Sequence, residues 1–384
     1  MQKAIPKTKS NKKTSSFGGA LGEFDLPFLV LVILLLLIGL IMMYSASYPE
    51  ALYRLQDSSY YIVRQVIFAV IGVAAMFGIS FVNYKFWHKL GLPLLIVSVI
   101  LLVAVFFFPP INYAHRWIIL PGLTFQPSEI AKFAIVITFG HLIAINYNKM
   151  KTFRYGVLPF ILILGCVAAL VIRQPHLSGT ILIILLGLIM MFAGGTSLKW
   201  FGFGGAAIAG AIIIAVVFFD IVPVAMNRFE TWMDPFVDPQ GAGHQTIQSL
   251  YAIGSGGFWG VGLGNSRQKH LYIPEPQNDF VFAVVCEELG FVGATLIIIL
   301  FGLLVWRGFV IAMRAPDKFG SMVALGLVMQ VGLQVLLNIA VVTNTIPNTG
   351  IGLPFFSAGG TALCMLLFQM GVVLSISRYS NVRR

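Results

Sequence analysis

The stretch "YIPEPQNDFVFAVVCEELG" (272–290) places Asp279 at the mouth of an apolar run and Glu287 and Glu288 within it. The chain holds only 14 acidic residues, and an ionisable group at the centre of a membrane helix costs roughly 2.5–3.5 kcal/mol. At a helix start, Asp279 reads either as a cap on free amides or as a proton-accepting carboxylate. On a helix Glu287 falls roughly 12 Å deeper and about 80° round from it, with Glu288 near the opposite side. Those two read as helix-to-helix polarity. Glu129 and Lys132 in "QPSEIAK" share a face at i and i+3, either as an internal ion pair or as the lining of a polar cavity. Arg116, Arg173, Arg228, Arg267 and Lys269 supply cations of the kind that grip phosphate. For each of them, salt bridging to Glu230, Asp234 or Asp238 is an equal alternative.

The elements that must hold these groups are apolar helices. The chain has 384 residues, 58% hydrophobic and 10% charged, and runs such as 26–47 match a bilayer core of roughly 30 Å. Ten spans are expected, near 26–46, 61–82, 90–108, 128–146, 157–172, 178–194, 201–219, 279–304, 319–341 and 361–378. The fold class is an all-α polytopic membrane protein, and a soluble globular protein is excluded by runs without polar faces.

A net charge of +11 suggests a nucleic-acid partner until the charges are placed. With the N-terminus inside, 17 of the 25 basic residues fall on the cytoplasmic side, so both termini are expected there. No nucleic-acid partner is implied. Residues 1–25 read as a disordered cytoplasmic tail whose first 20 residues are Lys/Ser-rich and lack a signal peptide's apolar stretch and cleavage site. Residues 26–378 form one membrane domain and 379–384 a second cytoplasmic tail. Cys166, Cys286 and Cys364 lie in apolar runs and read as small buried hydrophobes, and the histidines show no metal-ligand spacing.

The polar chemistry is on the outer side, in 109–127, in a large loop over 220–278 between spans 7 and 8, and in 343–361. Such long connections usually carry function. Within the large loop, 245–253 reads as a short amphipathic helix at the membrane surface. The glycine-dense "GSGGFWGVGLG" (254–264) reads as a tight or re-entrant turn needing positive φ, because no strand precedes it as a dinucleotide motif requires.

The segments "HRWIILPGLTFQPSEIAK" (115–132), "QPHLSGT" (174–180), 238–293 and "PNTGIGLPFFSAGG" (347–360) together resemble the SEDS family (shape, elongation, division and sporulation), whose branches are FtsW, RodA and SpoVE. "GNSRQKHLYIPEPQNDF" with "CEELGFVG" is similar to the FtsW/SpoVE branch more than to RodA. The chain departs from the family pattern at Gln277, at His176 and in "SAGGTA". The resemblance implies a peptidoglycan glycosyltransferase that polymerises lipid II at the outer face of the bacterial cytoplasmic membrane, in division or sporulation. It also implies pairing with a class B penicillin-binding protein (a transpeptidase) among other divisome or elongasome membrane proteins.

The family's key carboxylate lands on Asp279, its polar fourth-span set on Glu129 and Lys132, and its "RWI" arginine on Arg116. Candidate substrate-binding residues are Arg116, Arg228, Gln245, Gln248, Lys269 and Ser357. The expected reaction is a single inverting displacement with Asp279 as base and cations on the departing diphosphate. A divalent cation (Mg2+ or Mn2+) would assist it, but no ligand cluster marks its site. The rival readings are a lipid II flippase, which would spread charge through the membrane depth, and a non-catalytic division scaffold.

Overall fold

The computed structural model describes residues 22–110, 114–120, 123–205, 230–241 and 243–380. The chain opens with α1 (Leu26–Leu55), α2 (Tyr60–Phe81) and α3 (Lys85–Ala104). A hairpin of β1 (Ile118–Leu120) and β2 (Leu123–Phe125) follows, pairing Ile118 with Phe125. Then come α4 (Pro127–Asn146), the single-turn α5 (Phe153–Gly156), α6 (Leu158–Arg173) and α7 (Leu177–Ala193). After α8 (His244–Gly256), the bundle closes with α9 (Val281–Met313), α10 (Lys318–Val342) and α11 (Gly360–Tyr379).

Eight helical segments are long and apolar enough to cross a membrane, and α7 is a shorter apolar helix. These account for nine of the ten expected spans. The seventh, 201–219, falls mainly outside the described residues, with 198–205 helical where it would begin. The chain is a multi-pass membrane protein. Its one sheet, among the described residues, is the small hairpin, set in the connection read as 109–127.

Burial separates a centre from a lipid-facing ring, and of the three cysteines expected inside, Cys286 is buried, Cys364 is partly so and Cys166 is exposed. The apolar stretches of α4, α10 and α11 are 67%, 61% and 67% buried, against 22% in α2. The central helices are also those that carry polar side chains inward, because only there can such groups find partners.

Most of the basic helix ends gather at one end of the bundle. There Asp25 caps α1 through the Phe28 amide and receives two 2.8 Å bonds from Arg307. Tyr84 donates to Asp317, which also caps α10.

The eighth span differs from its expected bounds. The helix starts at Val281 and runs to Met313, past the charge of Arg307, which the contact with Asp25 accommodates. It also breaks at Gly290, whose φ of 66° interrupts the helical ladder.

Candidate functional site

At the end opposite the basic cluster, the starts of α4, α7 and α11, the approach to α9 and the 343–359 loop enclose a cavity of about 340 Å³. That is within the range of ligand pockets. Each wall is placed by local chemistry. Pro127 opens α4 as its first residue, where a missing N–H costs nothing, and this sets Glu129 in the first turn. Lys132, one turn on, is buried and pairs with Glu129 at 2.8 Å. The two readings of that pair are therefore compatible: they bond to each other, and both line the cavity.

Asp279 reaches the cavity from a segment held at several points. The Asn338 amide of α10 donates to the carbonyls of Asp279 (2.8 Å) and Ile351 (2.7 Å), tying the two facing loops together. Gln334, one turn earlier, donates to Gly352 O at 2.9 Å. The amide of Ala358 donates to Gln277 O at 2.8 Å. Gly350 has a φ of 66°, and a Cβ built on it would lie 3.1 Å from Asp279 Oδ2, so glycine leaves the carboxylate its room. The first turn of α9 takes no side-chain cap. Of the two readings of Asp279, the cap is not the one this structure uses.

Burial, with Glu275 on the same cavity wall adding to it and Arg116 opposing it, pushes the Asp279 carboxyl up to about 6. Arg116 is anchored by bonds to the carbonyls of Gln174 and Pro175, which aim its cation at the cavity. Burial holds its pKa below the usual guanidinium value and Asp279 opposes that shift, so it stays charged. His176 faces the same space, and burial with the nearby Arg116 and Lys132 charges pushes it down to about 3. The cavity thus presents a carboxylate of raised pKa, two further carboxylates in Glu129 and Glu275, two cations and a neutral imidazole.

Asp279, Glu129, Lys132, Arg116 and Ser357 come together here. Three further candidates do not, and a fourth lies outside the described residues. Gln245 bonds Pro274 O and Asn348, bracing α8 against the two loops rather than lining the cavity. Gln248 sits half-buried on α8, outside the lining. Lys269 is a correction: its ammonium is buried against Glu288 (2.7 Å), Ser45 (2.9 Å) and Gly264 O (2.7 Å), leaving it no capacity for a ligand. Arg228 lies outside the described residues.

Glu287 accepts from the Ser266 hydroxyl and the amides of Arg267 and Gln268, so both glutamates hold the loop rather than a substrate. Among the described residues no group of three His, Cys, Asp or Glu could hold a metal ion, and no step is assigned to one. Gln126, His176, Glu275, Gln330 and Gln334 line the cavity without having been singled out as site residues. Gln330, Gln334 and Asn338, spaced by four in an apolar span, carried the signal: a polar stripe at helical period faces something polar.

The family model described as "Cell cycle protein", FtsW/RodA/SpoVE, matches residues 26–382. Stage V sporulation protein E of Bacillus subtilis is 41% identical, over 93% of this chain and 98% of that protein. A probable peptidoglycan glycosyltransferase FtsW of Trichlorobacter lovleyi is 38% identical, over 93% of this chain and 94% of that protein. Among solved structures, a peptidoglycan synthase complex that coordinates polymerization and crosslinking superposes with a TM-score of 0.77 at 26% identity, over 92% of this chain and 98% of that one. The rod shape determining protein RodA of Thermus thermophilus does so with a TM-score of 0.69 at 25% identity, over 93% and 98%.

Proposed function

This chain belongs to the FtsW/RodA/SpoVE family, and we propose that it is a peptidoglycan glycosyltransferase polymerising lipid II, with Asp279 as its base. The observation that carries the residue roles is the cavity itself: one carboxylate of raised pKa stands across from Arg116 and Lys132. In the reaction an acceptor sugar hydroxyl attacks the anomeric carbon of a diphosphate-linked donor. The hydroxyl proton passes to Asp279 as the new C–O bond forms. The bond to the diphosphate breaks on the opposite face, and its electron pair leaves with the phosphate oxygen. An α-linked donor therefore gives a β-linked product.

A base with a pKa near 6 is mostly ionised at neutral pH yet basic enough to share a proton in the transition state. Arg116 and Lys132 meet the negative charge that grows on the leaving diphosphate. Glu129 positions Lys132 through their ion pair. The neutral state of His176 leaves it a hydrogen-bonding partner for sugar or phosphate and adds no third cation.

The site faces outward in this proposal. The support is the clustering of basic helix ends, from Lys85 to Arg378, at the end away from the cavity, which the positive-inside rule puts in the cytoplasm. A class B penicillin-binding protein is the proposed partner, by analogy with the polymerising and crosslinking complex of similar fold.

The test is purified protein with that partner, given lipid II, with glycan products separated by size. Wild type should yield polymer and Asp279→Ala none. Polymer unchanged in Asp279→Ala overturns the base assignment. Lipid translocation with no polymer from any preparation overturns the enzyme reading in favour of transport.

A further inference from the structure

The broken helix α9 and the glycine-dense loop solve each other's backbone problem. At Gly290 the helical ladder stops, freeing carbonyls above the break and amides below it. The amides of Val261 and Gly262 donate to Glu287 O and Glu288 O, each at 3.0 Å. Phe291 N donates to Gly257 O at 2.9 Å and Val292 N to Phe258 O at 3.2 Å. Backbones approach so closely that a Cβ on Gly290 would collide with the Gly260 nitrogen. The loop is therefore bolted to one level of α9.

That level can be measured along the helix. Leu289–Trp306 is an uncharged stretch of 18 residues bracketed by Glu288 and Arg307. At 1.5 Å per residue it spans about 27 Å, close to a hydrocarbon core of roughly 30 Å. Its lower end is marked by Trp306, 65% exposed, beside Arg307 with its partner Asp25. Its upper end is the break. Above it, Val281–Glu288 is wholly enclosed by protein.

At this upper boundary the loop turns Phe258 (60% exposed), Trp259 (77%) and Leu263 (55%) outward, next to Phe291 (62%). Phe258 packs on Phe291 with ring centroids 5.6 Å apart. Below the patch, Leu296, Ile299 and Leu303 of the same apolar stretch are also exposed.

We infer that loop 257–263 is an interfacial anchor whose Phe258 and Trp259 insert among the lipids of the leaflet on the cavity side. Aromatic rings favour this boundary, apolar body inward and polar edge toward the headgroups. Directly behind the loop Lys269 is paired with Glu288 and Glu287 is satisfied by the Ser266 hydroxyl and two backbone amides, so these buried charges do not need the loop tip to be wet. The lipid contact stands without any catalytic reading. Its consequence rests on the proposed function: α9 rises about 12 Å from the boundary to its start, so the anchor holds Asp279 at the height of a lipid's diphosphate and sugars, above its acyl chains.

The experiment uses the full chain in nanodiscs made with phospholipids brominated either near the ester groups or near the chain ends. The Trp259 emission is obtained as the difference between wild type and Trp259→Phe. Phe258→Trp supplies a second reporter that does not require removing Trp259. Both reporters should lose most of their intensity with shallow bromines and less with deep ones. Emission that ignores both bromines, or that is quenched by aqueous iodide instead, overturns the anchor. A failed height consequence would show separately. Trp259→Ser would then polymerise lipid II in bilayers at the wild-type rate, although the shallow quenching of Trp259 in the wild type had established the lipid contact.

Discussion

Replacing Asp279 by Asn should slow the reaction steeply and stabilise the fold at the same time. The carboxyl's pKa rises from 3.8 to about 6 in the folded protein, a shift of about two units at 1.36 kcal/mol each. The ceiling is therefore about 3 kcal/mol, reduced to about 1–2 because cavity water screens a partly exposed group. The sign follows from proton binding. Below pH 3.8 both states hold the proton and the group contributes nothing. Between 3.8 and about 6 the unfolded chain ionises first, so stability falls as pH rises; above about 6 the loss is complete. Asp279→Asn escapes that loss, so its thermal midpoint should exceed wild type at pH 7.5 and match it near pH 4. Differential scanning of both proteins in one detergent, across pH, measures this. A midpoint difference that is absent at pH 7.5, or that is largest in acid, refutes the placement of a strained carboxylate at the cavity wall.

Breaking the buried pair with Lys269→Ala should cost about 3–5 kcal/mol, since Glu288 is left charged and unpaired; Glu288→Gln made in the same chain should restore much of it, as read by thermal or proteolytic stability. Gly350→Ala should cost about 1–2 kcal/mol of left-handed strain and crowd the Asp279 carboxylate, slowing polymer formation more than it raises the substrate concentration needed.

Most charged members of the cavity, though not Glu275, were legible because a carboxylate or guanidinium has few neutral explanations in so apolar a chain. Asp279, Glu129, Lys132 and Arg116 stood out for that reason. Lys269 was misjudged by the same logic: Glu288 neutralises it and Ser45, 224 positions away on α1, accepts a further bond from it, and no local pattern exposes such a pairing. Uncharged amides signal more weakly, so Gln330 and Gln334 passed unremarked despite their helical spacing. The end of α9 was placed early because a helix was expected to stop before Arg307, whose charge Asp25 neutralises from the far end of the chain. The glycines of 254–264 were legible as a positive-φ turn. Their purpose was not, since it depends on the break at Gly290.

The central claim is that Asp279 accepts the acceptor's proton across from Arg116 and Lys132. Single-turnover glycan formation measured against pH tests it most directly. Wild-type rate should climb through a pKa near 6 and level off above it, and Asp279→Asn should run about 10²–10⁴-fold slower with no such inflection. An Asp279→Asn profile that keeps both the wild-type rate and the inflection would contradict the account.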